Sequence, residues 1–281
     1  MSAGNRNGHP NAPTRGRAAS PVAPIGALSD DGGFRSLAAE HISRQGALIV
    51  AADYPSADQA LQLAGALRGL PVWLKVGLEL FTAEGPPLLR RLEAMGFALF
   101  LDLKFHDIPN TVQGAVRSAS ALGVRMLTVH TAGGAAMCRA AVAGRAEAAF
   151  GSKGGGKDGP LLMGVTVLTS ESADPAVMRG RVLERALLAR ECGLDGVVCS
   201  GLEAKAVKDA CGPNFLCLCP GIRFAGCRSN DDQARVCTPA QAVLAGANFI
   251  VMGRPIIKAD DPALAAGLAL KEIHSVAGHS I

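Results

Sequence analysis

From Ala47 onward the chain alternates short apolar runs with longer segments of helical spacing. Eight runs stand out: "ALIVAAD" (47–53), "VWLKVG" (72–77), "FALFLDLK" (97–104), "VRMLTVH" (124–130), "LLMGVTVL" (161–168), "DGVVCS" (195–200), "FLCLCPG" (215–221) and "NFIVMG" (248–253). Each is β-branched or leucine-rich, and most are too brief for a buried helix, which suits strands covered on both faces. Between them, "SADQALQLAGALRGL" (56–70), "TVQGAVRSASALG" (111–123) and "PAVMRGRVLERALLARECG" (175–193) carry apolar residues at helical intervals. Asp174 is placed to cap the last of these, Pro175 takes its first helical position, and Gly193 ends it. Thr238 and Pro239 open "TPAQAVLAGA" in the same way. Eight strands alternating with helices over roughly 230 residues predict an α/β fold, a (β/α)8 TIM barrel within residues 46–281. The rival is an open doubly wound sheet, weakened because no G-x-G-x-x-G follows the first strand.

Residues 1–45 read differently. "MSAGNRNGHPNAPTRGRAASPVAP" is rich in Gly, Pro, Asn, Ala and Arg and holds no acidic residue. It lacks the apolar centre of a secretory signal; its arginines and lack of acids leave an organelle transit peptide open, but with no amphipathic period a disordered N-terminal extension is the reading preferred over 1–45. "GSKGGGKDG" (151–159) precedes a strand and lacks the G-x-x-x-x-G-K-[ST] pattern, so it reads as a surface linker.

Composition narrows the function. The net charge of +4 is too small, and its Lys and Arg too scattered, for a nucleic-acid partner; with 4% aromatics there is also little to stack bases. No run reaches 18 apolar residues, so no membrane-spanning helix is expected. None of the eight cysteines forms a C-x-x-C pair, which removes zinc spacing, and most sit in apolar surroundings. They read as buried free thiols of a reducing, cytoplasmic compartment.

In a barrel, reactive groups gather where the strands end. Strand 1 ends in Asp53, strand 2 carries Lys75, and strand 3 carries Asp102 and Lys104. Strand 4 ends in His130, strand 5 runs into Thr169 and Ser170, strand 7 into Pro220–Arg223, and strand 8 into Gly253 and Arg254. Alternation puts Asp102 and Lys104 on one face, pointing into the barrel mouth, with Leu103 turned away. Asp107 follows in the loop, and Pro109 pushes Ile108 into an extended conformation before the next helix. A lone D-x-K is usually a salt bridge at a strand end. With Asp53, Lys75 and a third carboxylate expected at the same mouth, a site is the stronger reading. His106 and His130 read at least as readily as hydrogen-bonded structural groups, and no metal site is expected.

"PGIR" after strand 7 and "GRP" after strand 8 lie where barrels often hold phosphate. Glycine lets backbone N–H groups approach an anion, and arginine grips it with two hydrogen bonds. The polar segment "FAGCRSNDDQARVC" (224–237) is long enough to close over a ligand and bring Gln233 to it.

With these residues in view, the chain resembles the orotidine 5′-phosphate decarboxylase family of the common bacterial type. The resemblance covers about residues 47–276 and rests on "AADY", "LKVG", "DLKFHDIPNT", "VTVLTS", "GLDGVVCS", "PGIR" and "GRP", in the family's order. It implies a homodimeric carboxy-lyase without cofactor or metal, converting orotidine 5′-phosphate to uridine 5′-phosphate in pyrimidine synthesis. Under the resemblance, Asp53 and Lys75 hold the ribose hydroxyls and support the charged network, and Asp102, Lys104 and Asp107 form an alternating charge array. Lys104 corresponds to the proton donor. Asp107, Ile108 and Thr111 enter from the neighbouring subunit. Thr169 and Ser170 correspond to pyrimidine contacts, and Arg223, Gln233, Gly253 and Arg254 to the phosphate grip. One departure is Ala52, where a larger apolar residue is common.

Overall fold

The computed structural model describes residues 1, 47–151, 159–167, 174–226 and 237–277. The expected N-terminal extension and the glycine-rich stretch 154–156 lie outside the described residues, as do Thr169, Ser170 and Gln233. Eight parallel strands close into a barrel in sequence order, each hydrogen-bonded to the next and β8 returning to β1. They are β1 (Ala47–Ala51), β2 (Trp73–Gly77), β3 (Leu99–Phe105), β4 (Met126–His130), β5 (Leu161–Val165), β6 (Gly196–Val198), β7 (Leu216–Cys219) and β8 (Phe249–Met252). The helices are α1 (Ala57–Leu67), α2 (Leu78–Ala94), α3 (Pro109–Ser120), α4 (Gly134–Gly151), α5 (Pro175–Glu191), α6 (Ala204–Cys211), α7 (Pro239–Leu244), α8 (Arg254–Ile257) and α9 (Pro262–Ala277).

The period of two in the strands sorts their side chains into two cores. Ile49, Ala51, Phe100, Met126, Met163, Leu218, Phe249 and Val251 fill the barrel interior. There the Trp73 ring meets Phe249 edge-on at 5.5 Å. Their alternates, among them Leu48, Val50, Leu74, Val76, Leu101 and Leu127, pack outward beneath the helices. Ala52 belongs to this outer core and is fully buried.

Local chemistry places the helices. Asp174 caps α5 by accepting from the N–H groups of Ala176 and Val177, and Pro175 opens the helix. Thr238 and Gln241 form a reciprocal capping box at α7. Inside α2, Gly85 adopts φ 63° before Pro86 and Pro87, so the element is two helical pieces joined at a kink. The seven described cysteines are all buried and unbridged, as their apolar surroundings suggest; Cys227 lies outside the described residues.

Candidate active site

The inward rows that build the interior continue upward into charge. Ile49 and Ala51 lead to Asp53, Trp73 to Lys75, and Phe100 to Asp102 and Lys104. At the carboxyl ends of β1–β3 these four side chains form a row of alternating sign. Lys75 Nζ lies 2.8 Å from Asp53 Oδ1 and 3.7 Å from Asp102 Oδ2, and Lys104 Nζ lies 2.8 Å from the same Asp102 Oδ2. The side chains of Lys75 and Asp102 are each 11% exposed, whereas that of Lys104 is 43% exposed. The inner pair therefore fixes the row and the outer lysine presents it. Gly77 keeps the room: a Cβ there would stand 3.1 Å from Lys75 Nζ and 3.4 Å from Asp53 Oδ1. The row lines a cleft of about 230 Å³ together with Tyr54 and Leu78.

Burial by itself would raise the Asp102 pKa. The charges of Lys75 and Lys104 and the hydrogen bonds from Lys104 and Thr128 outweigh it and hold the carboxyl below its ordinary 3.8. Asp102 is therefore an anion at neutral pH, although it is almost wholly enclosed.

Asp102 and Lys104 share a face as alternation predicts, and Leu103 packs against the outer core. The strand is nevertheless not regular. Pairing runs Phe100 with Met126 and Leu101 with Leu127, then jumps to Phe105 with Val129. Three residues of β3, Asp102–Lys104, thus face one residue of β4, Thr128. Lys104 has φ 50°, the sole positive φ on a non-glycine among the described residues. A left-handed L-residue costs about 1–2 kcal/mol. The site spends this strain on aiming one lysine.

Other expected residues fall into three groups. Gly253 joins the cluster: its Cβ position is 3.5 Å from Asp53 Oδ2, and it leads into Arg254 at the start of α8. Arg223 is buried at the end of β7, where Nη1 donates to the Ile222 carbonyl at 3.0 Å. There Ile222 bridges Cys237 and Arg223 N–H donates to the Cys237 carbonyl, so both ends of the 224–237 segment are tied together. Asp107, Ile108 and Thr111 stay outside the cleft of their own chain. Asp107 accepts from the Ile108 N–H at 2.6 Å just before α3 begins at Pro109, and all three residues are exposed. Asp107 is not among the residues that line the cleft of its own chain. His106 and His130 stack with ring centroids 5.0 Å apart, and His130 Nδ1 accepts from the Ala132 N–H. His130 thus caps the turn after β4, one of the two roles expected of it, while His106 meets it through ring stacking. Among the described residues no group of three or more His, Cys, Asp or Glu is gathered for a metal ion, and no helix is long and apolar enough to cross a membrane.

One residue of the site escaped the sequence reading. Thr128 is 1% exposed and bonds both Lys104 and Asp102. Carrying the inward row of β4 upward from Met126 would have reached it.

A closed parallel barrel with an acid–base row at its strand ends defines an enzyme of the (β/α)8 class. The model of the orotidine 5′-phosphate decarboxylase / HUMPS family matches residues 46–268. A protein of Maridesulfovibrio salexigens named orotidine 5′-phosphate decarboxylase is 53% identical over 234 residues, covering 81% of this chain and 99% of its own. A second of that name, from Nitratidesulfovibrio vulgaris, is 51% identical over 249 residues, covering 80% and 98%. Among solved structures, orotidine 5′-phosphate decarboxylase from Lactobacillus acidophilus superposes with a TM-score of 0.71 at 36% identity, covering 82% of this chain and 99% of that one. The chain belongs to the orotidine 5′-phosphate decarboxylase / HUMPS family.

Proposed function

We propose that the protein removes CO2 from orotidine 5′-phosphate to give uridine 5′-phosphate, without cofactor or metal, with Lys104 as the acid. The observation that carries this reading is the row Asp53–Lys75–Asp102–Lys104, with its outermost ammonium held 2.8 Å from an enclosed carboxylate. When the bond from C6 to the carboxylate breaks, CO2 leaves and the electron pair stays on C6. A cation already fixed at that place stabilises the developing carbanion with no reorganisation. Lys104 then passes its proton to C6 and regains one from water. Each tenfold in rate needs about 1.4 kcal/mol, so this one contact falls short of a large acceleration. Binding of the remote phosphate by Arg223, Gln233, Gly253 and Arg254 supplies the remainder by ordering the site. Thr169 and Ser170 meet the pyrimidine, and Asp53 with Lys75 the ribose.

The active form in this reading is a homodimer in the cytoplasm. Asp107, Ile108 and Thr111 do not line their own cleft and are exposed, Ile108 by 66%, which suits residues that complete the site of a second copy. The rival reading, a phosphosugar decarboxylase or aldolase on a related barrel, would rely on Mg²⁺. Purified protein should consume orotidine 5′-phosphate in an absorbance assay at the same rate with and without EDTA. Loss of activity with EDTA, or no turnover at all, would overturn the proposal.

A further inference from the structure

We infer that Thr128 is a positioning residue for the decarboxylation, tying the backbone and the ammonium of Lys104 to one carboxylate. Its place in the fold is set by the β3 bulge. Where Asp102–Lys104 bow away from β4, the ladder offers no regular partner, and Thr128 is the one β4 residue left opposite. A backbone N–H donor of an enclosed strand still needs an acceptor. Thr128 Oγ1 lies 2.9 Å from Lys104 N and 2.8 Å from Asp102 Oδ1.

The chemistry leaves one arrangement of protons. An amide N–H can only donate, and an ionised carboxylate can only accept. The hydroxyl therefore accepts from Lys104 and gives its own hydrogen to Asp102. Asp102 Oδ2 in turn takes the Lys104 ammonium at 2.8 Å. The loop closes: Lys104 main chain, Thr128 hydroxyl, Asp102 carboxylate, Lys104 ammonium. Both ends of one side chain are anchored through a single hydroxyl, and the left-handed φ of 50° is held in place. A valine fills the same space and breaks both bonds; a serine keeps the hydroxyl.

For its kinetic readout the inference rests on the decarboxylase reading. Thr128→Val and Thr128→Ser are compared with wild type on orotidine 5′-phosphate, and uridine 5′-phosphate binding is measured by calorimetry. Two lost hydrogen bonds in an enclosed site predict a kcat about 10- to 100-fold lower in Thr128→Val. KM and product affinity should stay within about twofold, since Thr128 acts through Lys104 and not on the ligand. Thr128→Ser should recover kcat to within a few fold. In Thr128→Val the acid limb of the kcat profile should also move to higher pH, because Asp102 loses a hydrogen bond that favours its charged form. An unchanged kcat in Thr128→Val, or a loss of kcat that serine does not restore, would overturn the assignment. Wild-type amide exchange decides the matter independently: the Lys104 N–H should exchange about 100-fold or more slowly than in a free peptide, and fast exchange would contradict its bond to Thr128. A wild type that leaves orotidine 5′-phosphate untouched would sink the decarboxylase reading instead, and the exchange result would still stand or fall alone.

Discussion

Two enclosed lysine sites, at opposite ends of the barrel, use the same ammonium group differently. Where the strands begin, Lys208 of α6 gives its three N–H bonds to the Pro213 carbonyl at 2.9 Å, the Phe215 carbonyl at 2.7 Å and Asn248 Oδ1 at 2.8 Å. All three acceptors are neutral, and burial pushes the Lys208 pKa down. Asn248 also accepts from the Cys217 N–H, so one cation stitches α6 to the entries of β7 and β8. Where the strands end, Lys75 and Lys104 share the Asp102 carboxylate, and Lys104 reaches its position through a strained backbone. A cation ringed by carbonyls has spent all its donors. A cation held from one side by a carboxylate keeps hydrogens for a ligand. Under the proposed function the first arrangement serves stability and the second serves chemistry, in keeping with the division between the two faces of such barrels.

The sharpest way to break this contrast is to remove each lysine. Lys104→Ala should lower kcat by about 1,000-fold or more, with melting temperature and uridine 5′-phosphate affinity little changed. Steady-state kinetics with thermal unfolding checks both halves. Lys208→Met should do the reverse: about 1–3 kcal/mol of stability lost as the buried Phe215 carbonyl goes unpaired and Asn248 loses one of its partners, with kcat per folded molecule unchanged. Denaturant titration beside activity measures it. If Lys208→Met lost activity at full stability, the division between the two ends would fail.

Smaller effects sharpen the picture at the mouth. The folded pKa of Asp102 lies below 3.8, so the stability it contributes is present above about pH 4 and is lost as pH falls through the folded value. Acid titration of stability should therefore be flatter in Asp102→Asn than in wild type over that window. The smallest effect isolates the backbone. Lys104→Gly and Lys104→Ala lose the same ammonium, but only glycine relaxes at φ 50°. The glycine variant should be the more stable by up to about 1 kcal/mol, less whatever its freer unfolded chain takes back.

Much of this was legible beforehand, and what was missed shares a cause. The eight apolar runs became eight strands because strands enclosed on both faces must be apolar throughout. Asp174 and Thr238 became caps because their side chains answer free N–H groups within one turn. Asp53, Lys75, Asp102 and Lys104 met because inward rows continue past the strand ends. Alternation assumes a regular strand, however, and gives no warning of the bulge that bends Asp102–Lys104. For that reason the part Thr128 plays was not evident, although the inward row of β4 continued from Met126 within "VRMLTVH" would have reached it. Asp107 lies in the exposed loop before Pro109 starts α3, outside the cleft of its own chain.

A crystal structure of the protein with uridine 5′-phosphate tests the central claim most directly. Lys104 Nζ should stand within about 3.5 Å of C6 of the pyrimidine, still paired with Asp102. An ammonium turned away and more than about 6 Å from C6 would contradict the role given to Lys104.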